Sequence, residues 1–153
     1  MVRLEKINEK NYRNCIKLEV KDKQKNFVAS NVFSLAQAYI SMIEKDIVSM
    51  PYAIFNDENM VGFVMIEYYK EKGEMVYEIG RMMIDKDYQG MGYGRDAMEK
   101  SIKMINELPC GPAKVINISY IPDNHTARKL YLSLGFVETG EMEGDEVCAE
   151  LKL

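Results

Sequence analysis

Residues 85–95, Asp-Lys-Asp-Tyr-Gln-Gly-Met-Gly-Tyr-Gly-Arg, constrain this chain more than any other stretch. They join a strand-like apolar run, residues 75–84, to a helical pattern with Ala97, Met98, Ile102 and Ile105 along one stripe. Glycines at 90, 92 and 94 allow close approach of the backbone to a ligand and turn several N–H groups into one concavity. The helix that follows adds its free amides and the positive end of its dipole, so a pyrophosphate is the natural guest. A glycine-rich turn without any ligand is the plain alternative.

Spacing separates this loop from two better-known phosphate binders. A P-loop requires Gly-Lys followed by Ser or Thr, whereas Gly94 is followed by Arg95 and Asp96. The dinucleotide fingerprint G-x-G-x-x-G, begun at Gly90, needs glycine where Arg95 stands.

Around the loop, short elements alternate. Residues 2–7 read as a strand, and Asn11 as the N-cap of a helix over 12–20. Residues 31–44 form a second helical pattern, with Val32, Leu35, Ala36, Tyr39 and Ile43 on one side, the side expected to face a core. Residues 52–55 and 60–68 are apolar runs separated by Asn-Asp-Glu-Asn, a hairpin signal, and a turn near Gly73 leads into 75–84. Residues 115–121 are a β-branched strand ended by Pro122. A short helix over 124–134 is closed by Gly135, and two strands, 136–139 and 146–153, finish the chain. This is an α/β pattern: a hairpin meander in the first half and strand–helix–strand units in the second.

The 153 residues suffice for one domain, 1–153, and not comfortably for two. No apolar run reaches the length of a membrane helix and the first residues carry no apolar signal core, so a cytoplasmic location is expected, with no membrane partner. A net charge of −4 without a basic block argues against nucleic acid and favours a cationic substrate. Cys15, Cys110 and Cys148 are far apart and His125 is the only histidine, so neither a disulfide framework nor a metal site is expected.

The loop resembles motif A of the GNAT superfamily of acyl-CoA-dependent N-acetyltransferases, Gln/Arg-x-x-Gly-x-Gly/Ala, at Gln89, Gly92 and Gly94. Residues 117–136 look like the family's motif B, Asn-x-x-Ala-x-x-Leu-Tyr-x-x-x-Gly-Phe, matched at Asn124, Ala127, Leu130, Tyr131, Gly135 and Phe136. The resemblance implies the GNAT fold, a mixed, mostly antiparallel sheet flanked by helices. Its cleft would open between the strand ending near Ile84 and the strand starting near Val115. It also implies acetyl-CoA as cosubstrate, with no metal. The pyrophosphate would lie on Gln89, Gly90, Met91, Gly92, Tyr93, Gly94 and Arg95, and the acetyl carbonyl and pantetheine amides on the backbone of Met82, Met83 and Ile84.

Two side chains carry both a structural and a functional reading. Tyr131 shares a core stripe with Ala127, Leu130 and Leu134 at i, i+3, i+4 and i+7, while the resemblance turns its phenol toward the departing thiolate. Asn124 is an apt helix cap, and by resemblance lies near the pantetheine arm.

An acceptor amine with a pKa near 10.4 must lose a proton before it attacks, at a cost of about 4.6 kcal/mol at pH 7. Some family members carry a base glutamate where Glu78 stands. Strand alternation puts Glu78 on one face with Met82 and Ile84. A carboxylate open to water or paired with Arg81 is the alternative.

Residues 24–38 look like the N-terminal region of bacterial spermine/spermidine N-acetyltransferases, which implies a small polycationic amine as partner. The acidic run Glu138, Glu141, Glu143, Asp145 and Glu146 is either an attractor for such an amine or a solvated hairpin face. Acetylation of another amine (an aminoglycoside, an amino acid or a protein N-terminus) and a non-catalytic acyl-CoA sensor are the competing readings. A homodimer is common in the family.

Overall fold

A computed structural model describes residues 1–44 and 46–153. One seven-stranded sheet runs through it in the order β1-β2-β3-β4-β5-β7-β6. β1 (Arg3–Lys6), β2 (Val48–Asn56), β3 (Asn59–Glu71) and β4 (Glu74–Ile84) are antiparallel neighbours, which is the expected meander with β1 added at its edge. β5 (Val115–Tyr120) lies parallel to β4, and β7 (Glu146–Lys152) separates it from β6 (Val137–Glu143). This is the mixed, mostly antiparallel sheet flanked by helices that the motifs' resemblance implies.

Period-two alternation sends side chains to two cores. Val64, Ile66 and Tyr68 of β3 join Tyr77 and Ile79 of β4 under α3 (Tyr93–Asn106) and α4 (His125–Ser133), where Met98, Ile105 and Tyr131 pack. Phe63, Met65 and Met83 face the other way, toward Cys15 and Ala38 of α1 (Tyr12–Cys15) and α2 (Asn31–Glu44). Among the described residues no helix is long and apolar enough to cross a membrane.

Three local expectations change. The helix expected over 12–20 stops at Cys15, because the next segment is captured by the loop after β4. The Glu19 N–H donates to Asp85 Oδ2 at 2.9 Å, and the Lys86 N–H donates to the Glu19 carbonyl at 2.8 Å. Asn11 stands at the helix start, but its side chain does not cap it. Its Oδ1 accepts from the Asn8 N–H, and its amide donates to the Lys6 carbonyl, pinning the turn to β1 instead. α2 has the expected span and the opposite orientation. Asn31, Ser34, Ala38 and Ser41 are buried, while Val32, Tyr39 and Ile43 of the expected core stripe are exposed. Small residues let the helix sit close on the sheet, and the large apolar ones are left outside.

Candidate active site

β4 and β5 pair only at Tyr77↔Ile116 and Glu78↔Asn117. Beyond Glu78 the two parallel strands part, which leaves residues 79–84 with a free edge toward the gap. A split at the carboxyl ends of parallel strands is where an open α/β sheet takes a ligand. Here it opens a cleft of about 1160 Å³.

The upper wall is backbone. After β4 a short 3-10 turn, Lys86–Tyr88, is capped by Asp85, whose carboxylate accepts from the Asp87 N–H at 3.0 Å. The chain then enters α3 through Gly90 and Gly92, both with positive φ (80° and 85°). A side chain at either would be strained, and no atom stands within 4 Å of where its Cβ would be. The space in front of the loop is open, and the first amides of α3 stand at its edge, as a phosphorylated guest requires. Gln89 fixes the loop rather than reaching into it. Its amide donates to the Ile84 carbonyl at 3.0 Å and to Gln24 Oε1 at 2.8 Å. Gln24 belongs to a 3-10 turn, Asp22–Gln24, and that bond brings Lys21, Lys23 and Lys25 to the same wall.

The lower wall is made of side chains. Glu67 on β3 and Glu78 on β4 stand directly opposite each other. The Tyr69 phenol donates to Glu78 Oε2 at 2.7 Å, and the Ser49 hydroxyl donates to Glu67 Oε1 at 3.0 Å. Burial pushes the Glu78 carboxyl up to about 7, with the Glu67 charge adding to the rise and the Tyr69 hydrogen bond opposing it. A carboxyl near 7 takes and releases protons at neutral pH.

β4 carries a bulge that the alternation argument omits. Register passes from Met65↔Arg81 to Ile66↔Ile79, so Gly80 is the extra residue. It switches the faces: Tyr77, Ile79, Met82 and Ile84 turn to the α3/α4 core, while Met83 turns to the α1/α2 side. Glu78 therefore does not share a face with Met82 and Ile84. It lies on the face of Met83. Nor does it pair with Arg81, whose guanidinium donates to the Gln37 side chain on α2 at 2.9 Å and to the Gly80 carbonyl at 2.7 Å.

Tyr131 enters from α4. Its ring packs on Tyr120 and Phe136, with centroids 5.5 and 6.1 Å away, and it reaches the cleft between the two walls. Burial raises its phenol well above the usual range, so the proton stays on oxygen. Asn124 caps α4, its Oδ1 accepting from the Ala127 N–H at 3.3 Å, and also borders the cleft.

The residues anticipated from the motifs thus converge, except Met91 and Arg95. Met91 is exposed away from the cleft, and the Arg95 side chain donates to Ser133 Oγ at 2.6 Å and pairs with Glu99 at 3.6 Å. The acidic run divides. Glu138 is bound by Arg128 at 2.6 Å and by the Tyr120 phenol at 2.7 Å, and Glu141 by Lys72 at 2.9 Å. Glu143, Asp145 and Glu146 border the cleft. Sequence reading missed Glu67, Tyr69 and the lysines at 21, 23 and 25. Glu67 was reachable: Lys72 and Gly73 have φ of 48° and 90°, as a two-residue hairpin turn requires, and counting back from that turn pairs Glu67 with Glu78.

The sequence model of the Acetyltransferase (GNAT) family matches residues 12–136. A probable spermine N(1)-acetyltransferase of Bacillus subtilis subsp. natto (strain BEST195) is 26% identical over 155 residues, covering 97% of each chain. Among solved structures, the PaiA N-acetyltransferase of Thermoplasma acidophilum in complex with coenzyme A superposes with a TM-score of 0.71 at 14% identity, covering 100% of this chain and 99% of that one. The spermidine N-acetyltransferase of Vibrio cholerae in complex with CoA and spermine gives 0.69 at 16% identity, covering 99% and 94%. At those identities the structural likeness is one of fold, but the family match spans most of the chain and takes in both strand–helix junctions that build the cleft. The chain belongs to the acetyltransferase (GNAT) family.

Proposed function

We propose that the chain transfers the acetyl group of acetyl-CoA to a primary amine of a polyamine such as spermine or spermidine. The observation that carries this reading is the Glu67–Glu78 pair, two carboxyls held opposite each other at the floor of the cleft. Like charges in that register oppose each other unless a proton or a cation lies between them. Glu143, Asp145 and Glu146 border the same cleft, so a second or third ammonium of the acceptor has carboxylates to meet. The curated relative named above supports the same acceptor class.

Acetyl-CoA supplies an acetyl group activated as a thioester. The chain's residues do the rest. The amides of Gly92, Tyr93 and Gly94 hold the phosphates, and Lys21, Lys23 and Lys25 add positive charge beside them. The free edge of Met82, Met83 and Ile84 takes the amide-bearing arm as an added strand would be taken. Glu78 accepts the proton of the incoming ammonium, so that the neutral amine attacks directly. Tyr131 holds a proton where the thiol leaves and donates a hydrogen bond there.

Coenzyme A release, followed with a thiol reagent, tests the reading against spermine, spermidine, aminoglycosides and short peptides. Release with the polyamines alone is expected. Release with peptides or aminoglycosides instead would reassign the acceptor, and tight acetyl-CoA binding without release by any amine would make the chain a sensor.

A further inference from the structure

The segment between α1 and α2 is tied to the loop after β4 at two places. Glu19 meets Asp85 and Lys86 through the two backbone bonds that end α1, and its carboxylate pairs with Lys86 at 3.1 Å. Further on, Gln24 and Gln89 form a reciprocal amide pair. Gln89 Nε2 donates to Gln24 Oε1 at 2.8 Å, and Gln24 Nε2 donates to Gln89 Oε1 at 3.2 Å. Both side chains are half-buried, where such a network holds more firmly than in open water. Gln24 is committed on its own side as well. Its Oε1 also accepts from the Lys21 N–H at 3.1 Å, and its backbone carbonyl accepts from the Phe27 N–H at 2.9 Å. One hydrogen-bonded chain therefore runs from the Ile84 carbonyl at the end of β4, through Gln89 and Gln24, to Phe27.

The two ends of that chain border different parts of the cleft. Gln89, Gly90 and Gly92 belong to the loop entering α3, whereas Phe27, Val28 and Ala29 lie on the side of the carboxyl pair. Phe63, Met65 and Glu67 alternate onto one face of β3, the face on which Val28 packs. Glu67 and Glu78 stand in register on it. Residues 25–30 belong to no helix or strand, so few regular bonds fix their conformation. We infer that Gln24 is a positioning residue that couples the two parts of the cleft. Coenzyme A on the loop before α3 orders residues 24–29 through the Gln24–Gln89 pair and so, on the transferase reading proposed above, raises the affinity for the amine. A ligand that fixes Gln89 also fixes the group bonded to it, and the second ligand then meets a wall that is already ordered. Linkage makes the effect reciprocal, so the amine strengthens coenzyme A binding by the same factor.

Amide hydrogen exchange of the full chain, with and without saturating coenzyme A, tests the coupling independently of any amine. Coenzyme A should slow exchange over residues 24–29 by about fivefold or more in the unsubstituted chain, and leave it unchanged in Gln24→Ala. Calorimetry reads the other half. Saturating coenzyme A should tighten spermine binding by about fivefold, spermine should tighten coenzyme A by the same factor, and Gln24→Ala should bring both ratios to about one. A substitution that merely loosened the fold would weaken spermine in both states and leave the ratio in place. Gln24→Glu still accepts from Gln89 Nε2 and from the Lys21 N–H, and should restore the ratio in part. Residues 24–29 left unprotected by bound coenzyme A overturn the inference, as does a ratio that survives in Gln24→Ala. Protection that Gln24→Ala abolishes, with no spermine bound in either state, upholds the coupling and overturns the polyamine reading instead.

Discussion

The two walls of the cleft are built by different means. The upper wall, residues 88–90 and 92–94, is main chain turned by positive φ at Gly90 and Gly92. The lower wall presents carboxyls from separate elements, Glu67 and Glu78 from paired strands and Glu143 from the last hairpin. Backbone recognition tolerates almost any side chain and depends on a few glycines. Side-chain recognition depends on register, burial and neighbouring charge. The contrast suits a transferase that uses one donor with a constant shape and an acceptor that must be chosen and deprotonated.

Substitutions on each wall should therefore fail differently. Glu78→Gln should lower kcat/KM for spermine by about 10²- to 10⁴-fold, with acetyl-CoA affinity by calorimetry unchanged. A matching loss of cofactor affinity would erase the distinction between the walls. The same substitution should stabilise the fold at alkaline pH. Burial lifts the folded carboxyl from 4.5 to about 7, so the folded state holds its proton more tightly than the unfolded one. Stability then falls as pH rises from 4.5 to 7 and stays low above. Glutamine avoids that loss, by up to about 3 kcal/mol at pH 8 and by little at pH 4.5, as denaturant midpoints at the two values will show. On the role proposed for Tyr131, Tyr131→Phe should reduce kcat by about 10²-fold with little change in either KM. Gly92→Ala should raise the KM for acetyl-CoA by about tenfold, the equivalent of the 1–2 kcal/mol strain of a side chain at positive φ, and leave the pH profile where it was. Smallest and most diagnostic are the opposed shifts around Glu78. Glu67→Gln should move the acid limb of kcat/KM to lower pH and Tyr69→Phe to higher pH, because one neighbour raises the carboxyl and the other lowers it. Shifts in the same direction would mean that Glu78 is not the titrating base.

The same contrast explains what could be read from the sequence. Gln89, Gly92 and Gly94 stand in fixed spacing because a backbone cradle requires it, and the loop, α3 and the α4 cap appear where the motifs put them. The lower wall is less legible because its parts come from distant segments. Tyr69 and Glu67 carry no motif, and only hairpin register brings them to Glu78. Gly80 inside a strand is the local sign of a bulge, and simple alternation, which ignores it, assigns Glu78 to the face of Met82 and Ile84. For α2 the periodicity was sound, but it cannot say which side meets the sheet when small residues pack more closely than large ones. The early end of α1 depends on Asp85, seventy residues downstream of Cys15, which no local propensity contains.

The parting of β4 from β5 bears on more than binding. An unpaired strand edge on a protein's rim invites another chain to add itself, and such edges seed aggregation. The open edge of residues 79–84 lies inside the sheet, with β5 and β7 beyond it. A foreign strand would have to enter between β4 and β5, which remain joined at Tyr77↔Ile116 and Glu78↔Asn117, rather than add to a rim. The molecule thus keeps a row of peptide groups unpaired within its sheet yet closed to its neighbours in a crowded solution.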